Sequence, residues 1–355
     1  MSRFVQLHLL TSYPPANLNR DDTGRPKTAL VGEALRLRIS SQSLKRAWRT
    51  SGIFQEALVG HIGTRTKRMG TEIFAALREH GIAEKAAREW TRAIASQFGK
   101  IKSEKKTEHN EDLEIEQLAH FGPEEREAVM ALARNCAERG SGPSEEELDL
   151  LRKPERAADI AMFGRMLADS PRYNVEAAVQ VAHAFTVHKA AVEDDYFSAV
   201  DDLNDGREDA GAGHIGERGY GAGVFYLYLC INRELLQENL GGDDVLTGRA
   251  LEALVHAVTK VAPTGMQNSF ASRAYAAFAL VEEGDQQPRS LAQAFLKPVR
   301  AREDLSLIDA AVAALDRRCA NFDQVYGACA DGRYRFNVET GEGSLQGLTD
   351  FVKGV

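Results

Sequence analysis

The sequence has little of what marks a disulfide-held, metal-bound or membrane-spanning protein. Its four cysteines (Cys136, Cys230, Cys319 and Cys329) form no CxxC pair and are too sparse for a disulfide framework. None of its nine histidines falls in an HExxH or zinc-finger spacing, so no metal site is read. Apolar runs are short, and the longest, Val224 to Ile231, is far below the roughly 20 residues that cross a bilayer. The first residues, MSRFVQLHLLTSYPP, lack an apolar stretch followed by a small-residue cleavage site, so no secretory signal is read. There is no Walker loop, GxSxG elbow or Cys/His dyad. These absences point to a cytoplasmic chain in a reducing environment, with no membrane partner, no cofactor and no enzyme motif.

What is present is a globular composition with unevenly placed charge. Of 355 residues, 43% are hydrophobic and 27% charged, with a net charge of −8. That length is about two domains' worth, or one core with large insertions. Residues 1–70 hold twelve basic side chains against four acidic ones, a local +8 that leaves −16 for the remainder. No acid occurs from Ala34 to Gln55. Such asymmetry hints at contact with a polyanion, the alternative being an ordinary solvated basic face.

Alternation over Phe4 to Leu10 predicts a half-buried strand. Ser12 to Ala29 reads as a polar loop, and Leu30 to Ile39 as a hairpin pivoting at Gly32. A helix follows, capped by Ser40 or Ser41 and stopped by Gly52. Its inner stripe is Leu44, Ala47, Trp48 and Ser51. Residues 71–170 read as helical, with helices at 71–79, 83–98, 111–119, 124–138, 144–152 and 155–167. Strands are expected at 177–188, 223–232, 272–281 and 333–338, and helices at 246–261, 290–297 and 303–320. Residues 190–222 show no periodicity. Without the helical block the order is strand, helix, strand, strand, helix, strand. This is an α+β fold on the βαββαβ plan of ferredoxin-like and RNA-recognition folds.

Three stretches carry chemistry. In Ser40-Ser41-Gln42-Ser43-Leu44-Lys45-Arg46-Ala47-Trp48-Arg49, the free amides of a helix N-terminus suit phosphate. Gln42, Lys45 and Arg49 share one row of the exposed face, a pitch that suits a phosphodiester backbone. The plain alternative is a capped surface helix. The loop Asn17 to Lys27 brings Arg20, Arg25 and Lys27 beside Asp21 and Asp22, for phosphate, for a metal, or simply as a polar turn. Glu193 to Asp202 is an acidic arm whose Tyr196 and Phe197 could stack on bases, or a carboxylate cluster, or a solvated loop. Two further matches fail on context. Gly211-Ala212-Gly213-His214-Ile215-Gly216 fits GxGxxG but follows an acidic loop, not a strand. Arg218-Gly219-Tyr220-Gly221 begins like a ribonucleoprotein motif and continues with Ala222 and Gly223.

Taken together, Leu18-Asn19-Arg20-Asp21-Asp22, then Arg38-Ile39-Ser40-Ser41-Gln42-Ser43-Leu44-Lys45-Arg46-Ala47, resemble the CasC family, the CRISPR-RNA-binding backbone subunit of type I-E Cascade. Asp195-Tyr196-Phe197-Ser198-Ala199-Val200-Asp201-Asp202-Leu203, Gly223-Val224-Phe225-Tyr226 and Leu236 to Gly242 extend the likeness. The resemblance implies a modified ferredoxin-like or RRM-like palm at 1–57, 178–190 and 223–355, a helical finger insertion at 58–177 and a thumb loop at 191–222. It implies a non-catalytic scaffold that polymerises head to tail along crRNA and presents its bases to target DNA. Large, small, five-prime-cap and crRNA-processing subunits would be its other partners. By the same resemblance, Arg20, Lys27, Ser40, Gln42, Lys45 and Arg49 would touch the guide backbone. Met166, Tyr196, Phe197 and Ser198 would flank a displaced nucleotide. Lys100, Lys102, Lys105 and Lys106 are candidate contacts to target DNA. The alternative is a metal-dependent ribonuclease like type III backbone subunits, cutting with Asp21 or Asp22.

Overall fold

The computed structural model describes residues 2–103, 110–150, 156–167, 171–199, 202 and 214–354. They form two compact units. One comprises Met1–Phe54, Gln180–Ile231 and Leu251–Val355; the other comprises Gln55–Val179 and Asn232–Ala250. The segment expected as a thumb thus clusters with the first unit, and residues 232–250 cluster with the second.

The first unit is built on one sheet. Its elements are β1 (Phe4–Ala16), β2 (Thr28–Val31), β3 (Ala34–Ile39), α1 (Ser41–Arg49), β4 (Ala184–Thr186), β5 (Glu193–Ala199), β6 (His214–Asn232), α2 (Asp244–Lys260, from Leu251 on in this unit), β7 (Ala276–Gly284), α3 (Leu307–Tyr326) and β8 (Gly332–Asn337). The strands run β8-β7-β1-β6-β4-β3-β2, with β5 paired to the outer part of β6. Taken alone, β1, α1, β4, β6, α2 and β7 reproduce the expected βαββαβ succession, with the strands in spatial order fourth, first, third, second. The hairpin β2–β3 is inserted ahead of α1 and turns at Gly32, whose φ is +62°. A side chain there would collide with the Leu296 carbonyl.

The strand β1 is longer than its alternation suggested and is buried on both faces from Val5 to Leu10. Gln6 and His8, the polar half of that alternation, are interior too. They point into a covered layer, where each is hydrogen-bonded. Leu10, Tyr226, Phe278, Phe295 and Leu315 pack in that core.

The helix α1 runs as its pattern predicts. Ser40 Oγ accepts from the Ser43 amide at 3.3 Å, and Leu44 and Trp48 are buried. Gly52 does not simply stop it. Ser51 Oγ accepts from the Phe54 amide, so Ser51 caps a second helix, Gly52–Ala57. The described parts of 190–222 also hold strands that the sequence pattern did not show. Glu193 to Ala199 pair antiparallel with Tyr220 to His214 as a long hairpin arm. Most of β5 is exposed, so no buried face imposes alternation on the sequence.

In the second unit, helices Met69–Glu79, Glu84–Ala95 and Pro123–Arg139 surround Ile73, Leu77, Ile94, Phe98, Phe121 and Val129. The expected helix 111–119 is a single turn, Glu111–Leu113, followed by a strand, Ala119–Phe121. Its amides bond outward instead, Ile115 to the Lys67 carbonyl and Glu116 to that of Lys100. The expected helix at 144–152 is a turn over its described part. There Glu147 accepts from the Ser144 amide and pairs with Arg139. Helix 155–167 shortens to Ala158–Phe163, and 83–98 ends at Ala95 with one tight turn beyond. Helices Arg233–Asn239 and Leu345–Lys353 have no counterpart in the sequence reading.

Candidate nucleic-acid interface

The first unit brings the three chemical stretches together. Asn19 Oδ1 accepts from the Ser40 amide at 2.8 Å, fastening the loop Asn17–Lys27 to the start of α1. Asn17 Nδ2 donates to the carbonyls of Gly24 and Gly219, and Arg25 pairs with Asp194 at 2.8 Å. Loop, helix and arm therefore form one hydrogen-bonded assembly. Neither asparagine was singled out in the sequence. Their partners lie 21 and 202 residues away, and nothing local signals such contacts.

On α1, Gln42 is exposed, while Lys45 and Arg49 are half-buried. Burial alone lowers the Lys45 ammonium below its ordinary pKa. Among the described residues Lys45 has no carboxylate partner. A partly desolvated cation with no counter-charge is costly to keep, and an incoming phosphate would relieve it. Arg20 is exposed and bridges backbone to Pro26; Lys27 donates its amide to the Asn19 carbonyl at 2.8 Å. The basic count of this region is not all surface. Arg36 is fully buried and donates to the Thr186 and Phe295 carbonyls.

The other flank of α1 lines a cavity of about 920 Å³. Ser43, Arg46 and Thr50 of the helix line it together with Arg20 and Asp21 of the loop, Lys260 and Arg273. Met266, between the lining residues Gly265 and Gln267, and Ala271 adopt left-handed φ of 49° and 47° and bracket the turn Gln267–Phe270. Strained backbone of this kind concentrates at binding sites. Asp21 is engaged in its own turn. Its Oδ1 accepts from the Thr23 amide and hydroxyl and from the Arg25 amide. The Thr23 hydroxyl above all, then the turn amides, hold its carboxyl below the usual range.

In the arm, Phe197 lies opposite Gly216, where a side chain on the glycine would meet its ring. The Arg218 guanidinium covers the ring at 4.4 Å. Tyr196 is 68% exposed, and Ser198 is exposed. Residues 200, 201 and 203–213, including most of the glycine run, lie outside the described residues. In the second unit Met166 is 80% exposed. Its neighbours are fixed: Arg165 is ion-paired with Glu125 at 2.6 Å, and the Leu167 amide donates to Asn174. Lys100 pairs with Glu116 at 3.0 Å and Lys102 with Glu114 at 2.8 Å. Lys105 and Lys106 lie outside the described residues. Among the described residues no three His, Cys, Asp or Glu side chains converge as for a metal ion. No helix there is long and apolar enough to cross a membrane.

Comparison with known proteins defines the class. The chain is similar to a solved chain of a "CRISPR RNA-guided surveillance complex, pre-nicking", with TM-score 0.85, 30% identity and 99% of each chain covered. A second solved chain, from a "CRISPR RNA-guided surveillance complex", gives TM-score 0.74 at 25% identity, covering 99% of this chain and 100% of that one. The profile of the CT1975-like protein family matches residues 5–350, so this chain belongs to that family. These likenesses agree with the CasC resemblance of the sequence. A search of curated proteins finds no match.

Proposed function

We propose that the chain is a non-catalytic RNA-binding scaffold of a CRISPR RNA-guided surveillance complex, of the CasC kind. Copies stack head to tail on one crRNA in the cytoplasm and hold its backbone. The exposed bases then pair with target DNA in antiviral defence, so pairing reads the sequence while protein reads phosphate. A non-closing contact between copies gives a helical filament. The large, small, five-prime-cap and crRNA-processing subunits complete the complex.

The observation that carries this reading is the Gln42, Lys45, Arg49 row on α1, with Lys45 half-buried and, among the described residues, without a carboxylate partner. The similar solved chains, taken from RNA-guided complexes, support it. Arg218 over Phe197 supports a stacking role for the arm, because a planar guanidinium laid on an aromatic ring extends the stack to which a base adds.

The test is binding of single-stranded RNA over a range of salt. Lys45→Ala and Arg49→Ala should each weaken binding equally for unrelated RNA sequences. Each should also reduce the slope of log affinity against log salt by about one contact's worth. A loss that varied with RNA sequence would contradict a backbone reader.

A further inference from the structure

A second basic cluster sits beside Ser40, on strands rather than on the helix. Arg38 is on β3 and His183 immediately precedes β4, the strand paired with β3. The Arg38 guanidinium donates to His183 Nδ1 at 2.6 Å, and both side chains reach solvent. Lys27 joins them from the loop: its carbonyl accepts the Arg38 amide at 2.8 Å, and its charge acts on the His183 ring. Among the described residues none of the three has a carboxylate partner. On the other side of β4, β6 presents Tyr226 and Tyr228, both held neutral chiefly by burial. The charged groups facing His183 are therefore Arg38 and Lys27, both cations.

Two cations beside a neutral imidazole, with no acid partner among the described residues, repel one another in the free protein. We propose that Lys27, Arg38 and His183 form an anion subsite that holds one phosphodiester group of the bound strand, next to the Ser40 end of α1. The inference rests on the RNA-scaffold reading above and extends it to two residues, Arg38 and His183, that the sequence did not single out.

The chemistry follows from the hydrogen bond. Arg38 donates, so in the free protein Nδ1 is the acceptor and carries no proton. Burial, then the charges of Arg38 and Lys27, keep the ring below its ordinary pKa. A phosphate oxygen is a stronger acceptor for Arg38 than a neutral imidazole. When the guanidinium turns to it, Nδ1 is free to take one proton from solvent, and the imidazolium becomes a third cation on the phosphate. Binding is thereby coupled to the uptake of one proton. Affinity rises as pH falls from above the bound-state pKa towards the free-state one, with a limiting slope of about tenfold per pH unit.

The experiment measures anisotropy of a labelled single-stranded RNA with the full chain between about pH 6 and pH 8, the range in which histidine titrates. Wild type should bind more tightly as pH falls. His183→Gln, which keeps a donor and an acceptor but cannot titrate, should flatten the profile. Arg38→Gln and Lys27→Gln should each weaken binding several-fold at every pH. Circular dichroism spectra matching wild type establish that the variants fold, and Lys27→Gln, at a half-buried loop position, tests the subsite without substituting a strand residue. A His183→Gln protein with the full wild-type pH slope, or folded Arg38→Gln and Lys27→Gln proteins with undiminished affinity, would overturn the subsite. Those results leave the scaffold reading intact, whereas absence of RNA binding by wild type at any pH would remove both.

Discussion

Glu282 is fully buried, yet four side chains, those of Arg289, Arg333, His8 and Cys319, gather on its carboxylate. Arg289 grips both of its oxygens at 2.6 and 3.0 Å, Arg333 donates at 2.9 Å, and His8 and the Cys319 thiol approach at 3.3 and 3.5 Å. Burial pushes its pKa up, but hydrogen bonds from His8 and Arg289 and the charge of Arg289 outweigh that and leave it well below the usual range. Burial also lowers His8, so its ring stays neutral in the fold. Both shifts are downward, so both groups stabilise the fold above their unfolded pKa values and lose that contribution as pH falls. The loss begins near the ordinary histidine value of about 6.5 and continues through the carboxylate range near 4.3. Glu282→Gln takes the counter-charge from the largely buried Arg289, while Arg333 keeps Asp323, and is expected to destabilise the protein by about 3 kcal/mol at neutral pH. Its stability should also fall less steeply than wild type below about pH 5. Urea unfolding at neutral and acidic pH reads both effects, and a variant as stable as wild type at neutral pH would show that the cluster is not stabilising.

At the scale of elements, α1 was legible because its signals are local. A serine cap, a period of 3.6 and an apolar stripe all fall within ten residues, and the structure keeps Ser40 as cap with Leu44 and Trp48 inside. What holds α1 in place was not legible. Trp48 donates to the Val261 carbonyl at 3.2 Å and Asn19 accepts from Ser40. Arg38 meets His183 from 145 residues away. The hairpin arm was hidden for the opposite reason: exposed strands owe nothing to a buried face, so alternation vanishes. Short elements such as Glu111–Leu113 answer to tertiary hydrogen bonds rather than to propensity. One glycine links the loop to the cavity wall. A side chain on Gly265 would come within 2.5 Å of the Leu18 carbonyl and 2.6 Å of that of Asn17. Gly265→Ala should therefore push the loop Asn17–Lys27 off its seat and weaken RNA binding more than its effect on overall stability explains. Hydrogen exchange of the Asn19 and Lys27 amides checks this, and unchanged protection there would show that the approach tolerates a methyl group.

At the scale of the whole molecule, the net charge of −8 conceals a basic region within an acidic chain. The structure sharpens that split. Arg36 leaves the surface for the core, Arg25 is neutralised by Asp194, and Lys27, Arg38 and Lys45 keep no acid partner among the described residues. The groups available to a phosphodiester chain are thus fewer than the count of basic residues, and they lie along a single path from the loop through β3 to α1. A path of that kind suits a strand that passes over the unit and continues to the next copy. Such a scaffold should load RNA in steps. With single-stranded RNAs of increasing length, native mass spectrometry should show the number of bound chains rising by one at regular length intervals. Neighbouring chains should bind cooperatively, as is usual for proteins that line a single strand. Lys45→Ala should lower the occupancy of every step alike, because each copy makes the same backbone contacts. One bound chain whatever the RNA length would mean that the unit grips an RNA end or a folded element, and the filament would have to be abandoned.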